Sequence, residues 1–218
     1  MTNHHATAEG MGPPHVHHMD APTAYSAAKL GMWLFLATEI LLFGGLFAAF
    51  AVYRWMYLEE FHLASGELSR VMGALNTVVL IFSSFTAALA VDAAQRNDNR
   101  KVVKLLGVTI ACGFIFLVVK FFEYKSKYEY GFFPGLETFN SADFNERYRM
   151  FFGLYYCMTA LHALHVIIGM GIIFWALRMA RRNRFSRQYY TPVEMSALYW
   201  HLVDLIWIYL FPLLYLVG

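Results

Sequence analysis

The chain has 218 residues, of which 59% are hydrophobic and only 15% charged, with a formal net charge of +2. Soluble domains carry roughly 25% charged residues, so this deficit, with a mean hydropathy of +0.45, excludes an ordinary soluble globular domain. So small a net charge, without a basic reading helix or an aromatic-basic platform, argues against a nucleic-acid partner.

Residues 1–29 read as a polar, His-containing tail expected to be disordered and cytoplasmic. His4, His5, His15, His17 and His18 lie in it, and Pro13, Pro14 and Pro22 oppose a helix of useful length. The tail has neither the charged start nor the apolar stretch of a signal peptide, so the first membrane helix is expected to direct insertion itself. The plain reading of the histidines is a solvated tail with incidental metal affinity. The sharper one is a mobile cluster that collects protons near neutral pH.

Five apolar segments follow, at 30–53, 73–92, 105–124, 151–177 and 196–217. Each is about 20 residues or longer, enough to cross a hydrocarbon layer of about 30 Å. The expected fold class is therefore all-α, a polytopic membrane helix bundle with five transmembrane helices over residues 30–218. Cys112 and Cys157 both fall in apolar runs, which implies inert thiols rather than a disulfide framework.

Each segment carries its own polar groups. In the first, Glu39 interrupts LGMWLFLATEILLFGGLFAAFAVY. A charge at a helix centre costs roughly 2.5–3.5 kcal/mol on insertion scales, so the carboxyl must be neutralised, paired or used. It reads either as a hydrogen-bonded core group or as a proton-exchanging group or polar anchor. Gly44 and Ala48 form a small-xxx-small step, and Gly169 and Gly171 lie in the fourth segment; such residues suit close helix approach. In the second segment, Asn76, Thr77, Ser83, Ser84 and Thr86 make a polar stripe, read as interhelical hydrogen bonding at about 0.6 kcal/mol per bond.

In the third segment, Lys120 and Glu123 share a face. They read as a local ion pair with a snorkelling lysine, or as a contact for lipid headgroups or a neighbouring subunit. The fourth holds His162 and His165 and the fifth holds His201 and Asp204, each pair at i, i+3 spacing. Between two helices they are able to frame a metal site. Hydrogen bonds across helices are the commoner outcome for such spacing.

The loops alternate in charge. Arg96, Arg100, Lys101 and Lys104 follow the second segment, and Arg178, Arg181, Arg182, Arg184 and Arg187 follow the fourth. Short basic loops stay in the cytoplasm, which places the amino terminus inside and the carboxyl terminus outside.

The segments GMWLFLATEILLFGGLFAAF, LNTVVLIFSS, KFFEY, LHALHVIIG and YWHLVDLIWIYLFPLLYLVG, in this order and spacing, resemble subunit III of the haem–copper terminal oxidases. The resemblance covers roughly residues 30–218, and the last two motifs are specific. It implies a non-catalytic subunit of a proton-pumping oxidase in a bacterial cell membrane, with the carboxyl terminus periplasmic. It implies no catalytic residue, no metal and no cofactor in this chain, haem and copper being held by partner subunits. The implied partners are oxidase subunits I and II, structural phospholipids and a larger respiratory supercomplex. The implied role is to stabilise the catalytic subunit and support proton uptake through bound lipid. On this resemblance Glu39 takes the place of the family's buried carboxylate. His162, His165, His201 and Asp204 take that of the polar cluster linking the last two helices.

Seven-helix members have two further helices before the Glu-bearing one, and this sequence has only the tail there. Five-helix bacterial forms include quinol-oxidising ones, so cytochrome c, the favoured electron donor, stands beside quinol. Two remoter classes are a metal-dependent membrane enzyme built on the His/Asp set and a small transporter coupled to protons through Glu39. The latter leads one to expect helices broken at mid-membrane, whereas the only proline deep in a segment is Pro212.

Overall fold

The computed structural model describes residues 21–134, 136, 139, 146–187 and 189–216. Long apolar runs leave the backbone no partner in lipid except itself, and the chain answers with helices. These are α1 (Ala21–Met56), α2 (Leu58–Gly66), α3 (Arg70–Gln95), α4 (Asn99–Glu129), α5 (Glu146–Arg181) and α6 (Thr191–Phe211), the last continued by a π-helical turn (Pro212–Leu216). Among the described residues the only β pairing is one isolated bridge, Ser186 with Tyr189. Five of the helices are long and apolar enough to cross a membrane: Thr23–Met56, Arg70–Gln95, Asn99–Glu129, Tyr148–Arg181 and Thr191–Leu216.

The helices differ from the apolar segments in two ways. First, the helices outrun the apolar segments. α1 covers Ala21–Met56, so residues 21–29, assigned to the tail, are helical. α5 likewise runs past 151–177 at both ends. Hydrophobicity marks only the stretch inside the hydrocarbon, while backbone hydrogen bonding carries on beyond it. Second, α2 was not expected. LEEFHLASG is too short and polar to register as a span, yet it buries Phe61 and Ala64. Phe61 stacks edge-on against Phe50 of α1 at 5.3 Å and Phe151 of α5 at 5.4 Å. Residues 1–20, including the five tail histidines, lie outside the described residues.

Polar side chains set the helix starts. The Ser69 hydroxyl accepts from the Met72 amide at the start of α3, and Asp98 accepts from the Lys101 amide at the start of α4. Asn97, at φ 61°, turns the chain between them, a left-handed conformation that asparagine tolerates.

α6 is the centre of the bundle. It buries Tyr199, Trp200, Val203, Asp204, Ile206, Trp207 and Leu210 against α3 and α5. Trp200 is wedged between two glycines. A methyl group at Gly113 of α4 would lie 2.8 Å from its ring, and one at Gly169 of α5 2.9 Å. Only a residue without Cβ lets both helices approach the indole this closely. Gly44, by contrast, meets nothing within 4 Å, and both it and Ala48 are exposed. The small-residue step of α1 therefore makes no helix contact within this chain.

The two basic loops share one end of the bundle. Asn99 Nδ2 donates to the Phe185 carbonyl at 3.0 Å, and the Arg187 amide donates to Asn97 Oδ1 at 2.5 Å. At the opposite end, Lys127 donates to the Glu67 carbonyl, tying α4 to the segment after α2.

Candidate functional site

Glu39 lies on α1 beside the exposed Ile40 and Leu41, and its carboxyl reaches across to α5. Its Oε2 is 2.8 Å from His165 Nε2. The other imidazole nitrogen, Nδ1, is 2.7 Å from the Leu161 carbonyl. A carbonyl only accepts, so Nδ1 carries a proton. The 2.8 Å contact then holds one proton, either on the carboxyl or on the ring. In both forms the pair has no net charge, and this makes the carboxyl tolerable in lipid. Phe43 covers the imidazole edge-on at 5.3 Å.

Lys120 and Glu123 form an ion pair at 3.0 Å and are both buried. Lys120 Nζ also donates to Tyr155 Oη at 3.2 Å and Tyr215 Oη at 2.9 Å, and Tyr215 Oη donates to Glu123 Oε1 at 2.6 Å. The rings of Tyr124, Tyr155, Trp207 and Tyr215 lie 5.1–5.5 Å from the ammonium. The lysine does not snorkel: α5 and α6 close over it and supply the hydroxyls that replace water. This chain's own aromatics enclose both heads.

The four His/Asp side chains of the last two helices do not converge. His165 turns to Glu39 on α1. His201 Nδ1 lies 2.6 Å from the Ser84 hydroxyl on α3. His162 is fully buried, with neither nitrogen hydrogen-bonded, its ring against Phe116 at 5.4 Å and Trp207 at 5.3 Å. Asp204 is buried with no well-formed hydrogen bond to either oxygen. Among the described residues no three His, Cys, Asp or Glu side chains come together as metal ligands. His165 and His201 bond to α1 and α3, because side chains three apart on a helix still diverge by a sixth of a turn, while His162 of α5 packs against Trp207 of α6.

The polar stripe of α3 is a set of rungs. Trp207 Nε1 donates to Thr77 at 3.1 Å, Trp200 Nε1 donates to Ser83 at 3.0 Å, and the Thr86 and Thr109 hydroxyls meet at 2.8 Å. Sequence reading found the hydroxyls but not their indole partners. It also missed the Tyr25–Glu194 hydrogen bond at 2.9 Å, which ties the start of α1 to α6 with Lys29 3.4 Å from the same carboxylate. No local pattern signals a partner 169 residues away.

Comparison with known proteins supplies what geometry leaves open. The family model described as Cytochrome c oxidase subunit III matches residues 14–218. A cytochrome c oxidase subunit 3 of Thermostichus vulcanus is 36% identical over 188 residues, covering 86% of each chain. A quinol oxidase subunit 3 of Bacillus spizizenii is 29% identical over 91% of this chain and 94% of its own. A haem-copper oxidase subunit I+III of Aeropyrum pernix is 28% identical over 94% of this chain but 24% of its own length.

Proposed function

The chain belongs to the cytochrome c oxidase subunit III family, and from that premise we propose how it serves its complex. It is subunit III of a haem–copper oxidase, a multi-pass membrane protein that associates with the catalytic subunits. We propose that it contributes no redox chemistry and acts as a lipid-embedded scaffold packed laterally on subunit I, within reach of subunit II. In this role it prolongs turnover and supports proton uptake through bound phospholipid.

The Glu39–His165 pair carries this reading. It is a one-proton, net-neutral unit at the edge of the bundle, not a ligand set. The groups behind it are occupied in holding helices together: Lys120 with Glu123, Tyr155 and Tyr215, and His201 with Ser84. Cytochrome c is the proposed electron donor, in line with the names of the more similar relatives, and the quinol oxidase relative keeps quinol as the second reading. The bacterial cell membrane is the proposed location, with the basic loops on the cytoplasmic side.

A Glu39→Gln oxidase tests the role. The amide still donates to His165 Nε2 but has no proton to exchange. The haem spectrum is expected to stay intact while the number of turnovers before inactivation falls. Loss of haem incorporation, or unchanged lifetime and proton uptake, would count against the role.

A further inference from the structure

A cleft of about 580 Å³ opens between α3 and α4 at the basic end of the bundle, away from Glu39 and the Lys120 cage. Its floor is apolar: Leu89 and Ala93 of α3 face Leu105 of α4. One turn further into the bundle on the same faces, Phe85 and Val108 are exposed at 59% and 40%, so the apolar seam continues toward the hydrocarbon. The rim is charged.

The charges do not cancel. Arg96 binds Asp92 through Nε at 3.1 Å and Nη2 at 3.0 Å, and Lys101 binds Asp98 at 3.2 Å. The Lys101 amide, and then its ammonium, hold the Asp98 carboxyl below the usual carboxylate range, so it remains ionised at neutral pH. Lys104 lines the same cleft and has no acidic partner among the described residues. Three cations against two carboxylates leave one positive charge, directly above an apolar seam that runs into the membrane.

We propose that this cleft binds an anionic phospholipid, its phosphodiester on Lys104 at the rim and an acyl chain along the Leu89–Leu105 seam. A single phosphodiester charge matches the single surplus cation. A free phosphate has no use for the seam, and a zwitterionic lipid brings its own ammonium to a rim already cationic. Arg100, exposed one position from the Lys101 pair, adds to the attraction. The proposal needs the membrane-spanning bundle but no particular electron donor, so it stands or falls separately from the role of Glu39.

The test uses the full oxidase in lipid nanodiscs carrying a photoactivatable phosphatidylglycerol or, in parallel, a photoactivatable phosphatidylcholine. Phosphatidylglycerol is expected to label peptides within residues 85–108, with unlabelled phosphatidylglycerol competing. Removing one cation near a membrane surface weakens anionic-lipid attraction by about fivefold, so Lys104→Gln is expected to lower that labelling by about this factor. Lys104→Arg should retain it, and Lys125→Gln, at the far end of α4, should leave it unchanged. Equal labelling by phosphatidylcholine, or full labelling of Lys104→Gln, would overturn the proposal. So would displacement by millimolar inorganic phosphate, which would assign the rim to a free anion.

Discussion

At the scale of single residues, the chain shows two ways of keeping polar groups in an apolar interior. Lys120 and Glu123 are satisfied by each other and by tyrosine hydroxyls. Breaking one side of such a buried pair costs about 3–5 kcal/mol, because the remaining charge is left without compensation. Lys120→Met should therefore strongly destabilise the bundle. Lys120→Met with Glu123→Gln should recover most of the loss, since the amide still accepts from Tyr215. Thermal unfolding of the four species of that cycle is the measurement, and additive losses would show that the pair is not coupled. His162 is the opposite case, packed by aromatics and bonded to none. Replacing a buried polar ring that has no partner with an apolar one of like shape is nearly neutral or stabilising. His162→Phe is expected to hold or raise the unfolding temperature, and a clear drop would show that its nitrogens are in use. The sequence made both sites visible as residues but not as sites. The i, i+3 spacing of Lys120 and Glu123 reveals the pair, whereas Tyr155 and Tyr215, from other helices, determine that it is enclosed.

At the scale of elements, apolar runs locate helices well and delimit them poorly. The five spans were legible because lipid demands about 20 apolar residues from each. α2 was not, since Phe61 and Ala64 are the only apolar side chains in LEEFHLASG that are buried, beside the polar Ser65. How the helices pack was equally hidden. Gly44 with Ala48 fits the small-xxx-small pattern, yet a methyl group on Gly44 would meet nothing within 4 Å, while Gly113 and Gly169 receive Trp200. Their role follows from the position of an indole on a third helix, information no single segment holds. Gly169→Val should push α5 from α6 at that point. Overpacking of this kind typically costs 1–3 kcal/mol, and Trp200→Ala in the same chain should relieve part of it. The cost is read from the unfolding midpoint, and a Gly169→Val chain as stable as the parent would mean that the wedge is loose.

At the scale of the whole molecule, charge separates the two ends. Asn99 with Phe185 and Arg187 with Asn97 hold the α3–α4 and α5–α6 connections together, so nine basic residues gather on one end: Arg96, Arg100, Lys101, Lys104, Arg178, Arg181, Arg182, Arg184 and Arg187. The other end mixes Arg54, Arg70, Lys125 and Lys127 with Glu59, Glu60, Glu67 and Glu129. Both basic connections are short, the condition under which positive charge controls orientation. The pairing of the connections also constrains insertion as a unit, because flipping one helix would tear Asn97 and Asn99 from their partners. Reporter fusions after Arg100 and after Arg184 should therefore give the same cytoplasmic signal, with fusions after Leu63 and at the carboxyl terminus giving the opposite one. Replacing Arg181, Arg182 and Arg184 by Gln should weaken this bias without inverting it, since the α3–α4 basic cluster remains. Opposite signals from the two basic loops would contradict the bundle's topology itself. A uniform inversion of all four signals would leave the topology standing and reject only the assignment of the basic end to the cytoplasm.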